Sequence, residues 1–410
     1  MKKILFFHHN SKISGAGVSG RNVIRAIDKS KYEVVAYCST KNGAEVSDYF
    51  ANEGIRIIEG GDSPKNYEHC VGSEHLFVSP RHFRNLLEIR ADEKKIRRII
   101  RNEKPDIVIL NSMTLFWIAH IAKECPCKVI LFFRETWVKG LIGFRKRIIE
   151  SNISKYVDKV VFISNYDCIS SKRIKCKKST VYNAIDFLDT ESLDREETKK
   201  TLGINGHSFH LLYVGGATKL KGLHVLLRAL PLMDQRVHLN IVGYQWNGKA
   251  KMLKNCKSSI QKIRYILGLD YEKRCIEIIK KEKIEDRISF FPSNCAIERF
   301  YKACDAVVFP MTKPHQARPL FEAGAAKIPC IISNFENIAE LASDRNCNLF
   351  KPNDFRDLAR VVNSILSNLG EQKNKVMCNY EDTIRRHDYR AYCKLIRKEI
   401  DSVVEEDRNT

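Results

Sequence analysis

The sequence has no run of about 18 apolar residues, the length that a transmembrane helix needs. The apolar run near its N-terminus covers only Ile4 to Phe7, which is too short for a signal peptide. The 14 cysteines are scattered, and the close pair Cys125 and Cys127 has no second pair at the spacing of a zinc site. These absences predict reduced thiols in a cytoplasmic protein.

Acidic residues are scarce relative to basic ones. Against 70 Lys and Arg the chain has 49 Asp and Glu, a formal charge of +21 that calls for an acidic partner. Nucleic acid, anionic lipid and a phosphorylated substrate all fit that charge. Because the basic segments lack interleaved aromatic residues and show no nucleic-acid motif, we expect no nucleic-acid partner.

The chain alternates short apolar runs with segments of helix length, and at 410 residues it is long enough for two domains. Such alternation predicts parallel sheets covered by helices on both faces. The predicted strands of the first half are 3–8, 33–38, 55–58, 107–110, 128–133, 159–163 and 180–182. Those of the second half are 211–214, 237–242, 288–291, 306–309, 330–332 and 348–350.

The apolar pattern lapses from Ala184 to about Arg195, where acidic residues collect, and this stretch is the predicted linker. A last helix from about Glu381 to Val404 has no strand after it, so we expect it to pack back on the first domain. The predicted domains are therefore 1–186, 187–380 and the C-terminal helix 381–410.

In doubly wound sheets, ligands bind outside the carboxyl ends of the strands. Gly15 and Gly17 lie in the loop after the first strand, Arg134 and Glu135 follow the strand that ends at 133, and Asn183 follows 180–182. These five are the candidate ligand-binding residues of the cleft in the first half. The glycines formally match a dinucleotide fingerprint, but they stand too far from the strand and the ribose-binding acid is missing, so NAD is set aside.

The second half carries a glycine and lysine segment from Gly215 to Gly222, which resembles half of a phosphate cradle without being a Walker motif. Further on, residues 305–334 read as strand, loop, helix and strand, with Pro319 suited to the first helical position. The N-terminus of that helix would favour a phosphate, and Glu322 could reach sugar hydroxyls beside it. The competing interpretation of Glu322 is a surface carboxylate.

Taken together, the motifs at 182–186, 213–222, 301–310 and 321–333 resemble family 4 of the retaining nucleotide-sugar glycosyltransferases. The resemblance implies an α/β chain of the GT-B fold, with two facing Rossmann-like, doubly wound parallel-sheet domains. It further implies an N-terminal acceptor domain, a C-terminal nucleotide-sugar domain and a C-terminal helix that crosses back to the first domain.

By position, the resemblance implies that Lys221 binds the donor diphosphate and Glu322 the ribose. The sequence departs from the family at Gly216, where arginine is common, and at Pro314, where the first of two glutamates is expected. Lys219 or Arg318 could supply the missing charge, and His315 could contact the donor sugar. The predicted catalytic residues are Lys221, Glu322 and His315, and the predicted donor-binding residues are Gly215, Gly216, Lys219, Lys221, Arg318, Pro319, Leu320 and Glu322.

The implied activity is transfer of a sugar from a UDP- or GDP-linked donor to a glycan or lipid-linked acceptor, in surface polysaccharide biosynthesis such as capsule, O-antigen or exopolysaccharide. No two aspartates are two positions apart, so the metal clamp of the other main glycosyltransferase fold is missing, and we expect neither metal nor cofactor. The alternatives are a nucleotide-sugar epimerase of the same fold, a non-catalytic sugar-binding relative and a basic nucleic-acid-binding protein.

Three basic segments suggest a peripheral contact with an anionic membrane at the inner face of the plasma membrane. The segment 141–149 places apolar residues beside Arg145, Lys146 and Arg147, and 81–101 adds a basic helix. The third segment, 249–264, has six cations and no acid. The competing interpretation is a solvated basic surface.

Overall fold

The computed structural model describes residues 1–41, 45–59, 61–67, 80–137, 143–185, 190, 192–204, 209–243, 271–292 and 296–405. The chain forms two compact units. Unit 1 consists of residues 1–184 and 387–410, and unit 2 consists of residues 185–386. Residues 186–189 and 191 of the predicted acidic linker lie outside the described residues. Asp194 is described and caps the helix that follows, its carboxylate accepting from the backbone N–H of Glu197 at 2.7 Å.

Unit 1 is built on a parallel sheet of seven strands. They are β1 (Lys2–Phe7), β2 (Tyr32–Tyr37), β3 (Arg56–Ile57), β4 (Ile107–Leu110), β5 (Lys128–Phe133), β6 (Lys159–Phe162) and β7 (Lys177–Thr180). Their order across the sheet is β3-β2-β1-β4-β5-β6-β7, so the direction of winding reverses between β1 and β4. The reversal opens a crevice at the carboxyl ends of those two strands.

Unit 2 repeats this plan with six parallel strands. They are β8 (Phe209–Val214), β9 (Val237–Val242), β10 (Ile288–Phe291), β11 (Ala306–Phe309), β12 (Cys330–Ser333) and β13 (Asn348–Phe350). Their order is β10-β9-β8-β11-β12-β13, which places the reversal between β8 and β11. The prediction of doubly wound parallel sheets in both halves is confirmed.

Helices cover both faces of the first sheet, as its nearly continuous apolar strands require. In unit 1 they are α1 (Gly15–Ala26), α2 (Glu45–Ala51), α3 (Pro80–Glu103), α4 (Ile118–Ala122), α5 (Phe144–Tyr156) and α6 (Asn165–Ser170). The helices of unit 2 are α7 (Arg195–Leu202), α8 (Leu223–Ala229), α9 (Tyr271–Glu282), α10 (Ile297–Ala303), α11 (Arg318–Ala325), α12 (Phe355–Ser367) and α13 (Leu369–His387). The chain then returns to unit 1 with α14 (Tyr389–Glu405).

Helix α14 packs on unit 1, as predicted. Its buried Tyr392, Ile396 and Ile400 join the core on the face of the sheet that also carries α1 and α2. Burial of each such side chain contributes roughly 1.5–3 kcal/mol, enough in sum to hold the helix in place. The sequence predicted one helix from 381 to 404, which is wrong because Asp388 separates α13 from α14 and its carboxylate accepts from the backbone N–H of Ala391 at 2.7 Å.

Two further boundaries differ from those predicted. Strand β7 ends at Thr180 instead of Tyr182, which leaves Asn183 in the segment after it. Helix α1 begins at Gly15, whereas the sequence predicted a loop as far as Gly17. The helix starts there because the backbone N–H of Val18 already reaches the carbonyl of Ser14 at 2.9 Å.

Candidate functional site

In unit 2 the loop after β8 holds the side chain of Lys221 against Gly215. A Cβ atom at position 215 would stand 2.6 Å from Cδ and 2.9 Å from Nζ of Lys221, and the glycine has a φ of +152°. Gly222 has a φ of +73°, and a Cβ there would lie 1.7 Å from the carbonyl oxygen of Pro310. Both positions therefore require glycine, which lets the β8 loop lie directly against the β11 loop.

The same two loops are joined by hydrogen bonds. The backbone N–H of Thr312 donates to the carbonyl of Leu220 at 2.9 Å, and the hydroxyl of Thr312 donates to the carbonyl of Lys219 at 2.8 Å. The side chain of Lys219 is exposed, and a Cβ at Gly216 would meet only the carbonyl oxygen of Gly243, at 3.9 Å. Of the predicted cradle residues, Gly215 and Lys221 are thus brought together at the reversal between β8 and β11, and Lys219 points to solvent.

Lys221 has no hydrogen-bond partner for its ammonium in the part of the chain that the structure describes. Burial lowers the pKa of Lys221, and the nearby Glu322 opposes this effect. A half-buried cation without a direct partner gains from an opposite charge, so this geometry suits an anion supplied by a ligand. Burial, and then the charge of Lys221, lower the pKa of His315 to about 4, so His315 is a neutral imidazole at physiological pH.

Glu322 is held in place by two hydrogen bonds. The buried hydroxyl of Tyr301 donates to Oε2 at 2.7 Å, and Nε of Arg318 donates to Oε1 at 2.6 Å. Glu322 is only 7% exposed, which removes the interpretation as an ordinary surface carboxylate. An ionised carboxylate has about four acceptor positions, so two partners leave capacity for hydroxyl groups of a ligand.

The remaining residues of helix α11 have structural contacts. Arg318 is the first residue of the helix and Pro319 the second, one position later than predicted. The side chain of Leu320 is buried, and its carbonyl accepts from Nδ2 of Asn379 at 3.0 Å. Leu320 therefore anchors α11 to α13, so any contact it makes with a donor would come from the backbone.

In unit 1 the structure brings four of the five predicted residues to one edge of the sheet. Nη1 of Arg134 donates to Oδ1 of Asn183 at 2.7 Å, and Nε of Arg134 donates to Oδ1 of Asn111 at 3.2 Å. Nδ2 of Asn111 in turn donates to the carbonyl of Ala16, in the first turn of α1 between Gly15 and Gly17, at 3.0 Å.

The fifth residue, Glu135, makes its side-chain hydrogen bonds to the segment after β4 and to the backbone of Arg134. Its Oε1 accepts from the hydroxyl of Ser112, and its Oε2 accepts from the backbone N–H of Met113 at 2.9 Å and of Arg134 at 3.1 Å. Burial raises the pKa of Glu135, and these hydrogen bonds offset part of that rise. Glu135 therefore fixes the segment after β4.

Sequence reasoning missed His8 and Asn111. Their side chains are fully buried and are joined across the reversal between β1 and β4, with Nδ1 of His8 3.0 Å from Nδ2 of Asn111. A Cβ at Gly20 would lie 2.6 Å from Nδ2 of Asn111, so glycine is needed where α1 crosses this pair. The available signal was position, because each residue directly follows a strand that flanks the reversal.

The predicted membrane segments are only partly described. Leu141, Ile142 and the whole of 249–264 lie outside the described residues. Arg145 is buried, and Nζ of Lys146 donates to the carbonyl of Ser170 at 2.7 Å, so the prediction of three neighbouring surface cations is wrong. No helix in the described part of the chain is long and apolar enough to span a bilayer.

Comparison with known families matches most of the chain. Residues 194–381 match the family model described as glycosyl transferases group 1, and residues 13–187 match the model described as Glycosyltransferase Family 4. Spore coat protein SA of Bacillus subtilis is 28% identical over 231 residues, 52% of this chain and 56% of that protein. The chain thus spans little more than half of that relative.

Two further proteins are similar over nearly their whole lengths. An uncharacterized glycosyltransferase of Methanocaldococcus jannaschii, MJ1607, is 22% identical over 360 residues, which are 81% of this chain and 85% of that protein. The crystal structure of Anabaena HepE in complex with UDP-glucose superposes with a TM-score of 0.76 at 16% identity, covering 98% of this chain and 100% of that one. At that identity the superposition shows a shared fold.

Proposed function

Because the chain belongs to family 4 of the glycosyltransferases and has the GT-B fold, we propose that it transfers a sugar from a nucleotide-sugar donor to a glycan or lipid-linked acceptor, with retention of anomeric configuration. The observation that carries this proposal is the position of Lys221. Its half-buried ammonium lies at the reversal of the second sheet with no hydrogen-bond partner among the described residues. A donor diphosphate is an anion of the kind that this group would bind.

In this proposal the donor binds to unit 2. Lys221 faces the diphosphate, and Glu322, held by Tyr301 and Arg318, accepts from the ribose hydroxyls. Negative charge on the diphosphate grows as the sugar departs, so a fixed cation beside it stabilises the transition state more than the ground state. The description of HepE as a UDP-glucose complex supports a UDP-linked donor, with GDP as the alternative.

His315 would act on the sugar as a neutral group. Since its pKa is lowered to about 4, the ring offers one N–H donor and one acceptor rather than a positive charge. This favours a hydrogen bond to a sugar hydroxyl over an ion pair with a sugar carboxylate. Departure and attack on the same face of the sugar would then give retention, with the protein stabilising the leaving diphosphate.

The proposal assigns no metal ion or cofactor to the reaction. The chain lacks an Asp-x-Asp pair, and Lys221 can supply positive charge to the phosphates.

The acceptor would bind to unit 1 at the cluster around Arg134. The transfer would contribute to the assembly of a surface polysaccharide or lipopolysaccharide.

We also propose that unit 1 makes a peripheral contact with an anionic membrane. The support comes from apolar side chains that stand in solvent on its helices, with Phe83 60% and Leu87 70% exposed on α3 and Phe144 63% exposed on α5. Arg84 and Arg147 are exposed beside them. Inserted apolar side chains and a few unscreened cations are enough for reversible binding.

A thermal-shift panel with UDP, GDP, ADP and CMP tests the donor assignment. A ligand that binds only the folded state adds about 2.7 kcal/mol of stability at 100 times its Kd, so the matching nucleotide raises Tm. Lys221→Met should remove most of this rise, while Lys200→Met, an exposed lysine on α7, should leave it unchanged. An equal rise in all three proteins would count against the donor site.

A time course with UDP-sugars and no acceptor separates transfer from epimerisation. A transferase consumes little donor under these conditions, apart from slow hydrolysis. Conversion of the donor to a second UDP-sugar would instead show the epimerase.

A further inference from the structure

Three buried nitrogen atoms at the carboxyl edge of the first sheet make no hydrogen bond among the described residues: Nδ1 of His9, and one nitrogen each on Arg134 and His8. Nη2 of Arg134 and Nε2 of His8 are both covered by the chain, and neither makes a hydrogen bond in the part of the chain described. Buried polar groups are nearly always paired in native proteins, so each unpaired one needs an explanation.

Both atoms are hydrogen-bond donors. Nδ2 of Asn111 is an amide nitrogen and can only donate, so Nδ1 of His8, 3.0 Å away, accepts. The amide orientation is fixed independently, because Nδ2 also donates to the carbonyl of Ala16 and Oδ1 accepts from Nε of Arg134. Burial, and then the neighbouring His9 and Arg134, lower the pKa of His8, so the ring is neutral and carries its proton on Nε2.

The guanidinium of Arg134 also forms no direct ion pair among the described residues, although the charge of the adjacent Glu135 acts on its pKa. Its two direct partners are the neutral amide oxygens of Asn111 and Asn183, and its carbon lies 4.9 Å from the ring centroid of Phe132. Both oxygens of Glu135 accept hydrogen bonds from other donors, the hydroxyl of Ser112 and the backbone N–H groups of Met113 and Arg134. A buried charge left this way destabilises the fold unless an anion neutralises it.

From this arrangement we infer that the acceptor substrate carries an anionic group, a phosphate or a carboxylate, which binds to Nη2 of Arg134 and Nε2 of His8. The inference rests on the proposed function for its identification of this ligand as the acceptor. It deepens that proposal by excluding neutral saccharides as the preferred acceptor. Arginine suits the role because its planar fork presents N–H groups to two oxygens of one anion.

The start of α1 adds to the site. A Cβ at Gly17 would lie 3.9 Å from Nε2 of His8, which puts the first turn of this 12-residue helix directly beside the unpaired donor. Ser14, which precedes the helix, provides no side-chain cap to its N–H groups. Unpaired N–H groups and the helix dipole favour negative charge at such a position.

The structural alternative is that Arg134 serves only to hold α14 through Tyr392. The hydroxyl of Tyr392 is buried beside the guanidinium of Arg134, and a weak hydrogen bond between the two side chains offsets part of the lowering of the Arg134 pKa by burial. Since the two unpaired nitrogens are covered, an anion enters only through a local rearrangement, which lowers its apparent affinity. Binding should therefore be measured at millimolar ligand.

The test is calorimetric titration of the full chain with glucose 1-phosphate, glucuronate and the neutral methyl glucoside. All titrations use the Lys221→Met background, so that phosphate cannot bind at the proposed donor lysine. We expect saturable one-to-one binding of at least one anion and at least tenfold weaker binding of the methyl glucoside. The anion that binds more tightly then identifies the chemical class of the acceptor. Binding of UDP by the wild type is measured separately, so a failed donor site is distinguished from a failed anion site.

Arg134→Met should weaken anion binding at least tenfold and Arg134→Lys less, because lysine keeps the charge but not the fork. The control is Arg97→Met, an arginine of unit 1 that is paired with Glu124, and it should bind as the parent does. If Arg134→Met does not fold, His8→Leu tests the second donor.

Three results would overturn the inference. They are equal anion affinity in the Arg134 and His8 variants and their parent, equal affinity for charged and neutral sugars, and absence of binding for both anions. A loss of UDP affinity in Arg134→Met alone would assign the arginine to the donor and also overturn it. If Arg134→Met and Tyr392→Phe lose stability equally and neither changes anion binding, the role is structural.

Discussion

The side chain of Lys221 occupies the space that a Cβ atom would need at Gly215, with Cδ only 2.6 Å from that point. We expect Gly215→Ala to displace the lysine and to lower kcat by about 10²-fold or more, the scale seen when one electrostatic contact to a transition state is lost. The control is Gly203→Ala, which also has a positive φ, +69°, but has no atom within 4 Å of the new Cβ. Equal kcat in both variants would show that the contact with Lys221 is unimportant.

Glu322→Gln should weaken nucleotide binding, because a charge-assisted hydrogen bond to the ribose becomes a neutral one. The expected loss is on the order of 1.5–3 kcal/mol, measured as the change in Kd for UDP. Tyr301→Phe, which removes the 2.7 Å hydrogen bond to Oε2 but no group proposed to touch the ligand, should have a smaller effect on Kd. Unaltered affinity in Glu322→Gln would remove Glu322 from the donor site.

His315 predicts a specific dependence of stability on pH. Its pKa is about 4 in the folded protein and 6.5 in the unfolded chain, so the unfolded state binds more protons between these values. The free energy of unfolding therefore falls as pH decreases from about 6.5 to 4, by up to about 3 kcal/mol from this residue. Urea unfolding of the wild type and of His315→Gln at several pH values measures this loss of stability. The prediction is wrong if the free energy of unfolding of both proteins depends on pH in the same way.

The membrane contact is tested with apolar side chains, since Arg145 is buried and unsuitable. Phe144→Ser with Ile148→Ser should reduce sedimentation with phosphatidylglycerol vesicles, because both side chains are exposed on α5. Leu395→Ser, which removes a side chain 45% exposed on α14, is the control. The proposed face is wrong if all these proteins sediment alike, or if neutral vesicles bind wild type equally well.

The attachment of α14 is tested by two neighbouring residues. Ile396 is fully buried, so Ile396→Ala should lower the free energy of unfolding by about 2–5 kcal/mol. Leu395 is 45% exposed, and Leu395→Ala should change the free energy of unfolding by about 0.5 kcal/mol or less. Chemical denaturation followed by circular dichroism measures both, and similar losses would contradict the observed packing.

The sheets could be predicted because strands buried on both faces are continuous apolar runs, as in β4 and β11, and such runs are visible in the sequence without knowledge of their neighbours. The start of α1 could not be predicted, because glycine has a low intrinsic helix propensity. Glycine is needed at position 20 because Asn111, 91 positions away, approaches the helix there. A tertiary contact, and not local propensity, explains the glycine in this helix.

The same distinction between local pattern and distant contact applies to the candidate site residues. The position of Lys221 followed from local glycines, which the sequence displays. The hydrogen bond from Tyr301 to Glu322 spans 21 positions of the sequence, and the pairing of His8 with Asn111 spans 103. No local sequence pattern predicts either contact. Arg145 was misjudged because three consecutive cations on a helix point in different directions, and one of them faces inward.

The return of α14 to unit 1 has a consequence for how the protein is made. The ribosome completes residues 1–184 early, but the helix that covers part of that core comes after the whole of unit 2. At 5–20 residues per second the wait is on the order of 10 to 45 seconds. Throughout that interval the nascent unit 1 presents the apolar surface that later receives Ile396 and Ile400, so the growing chain is more prone to aggregation than the finished protein.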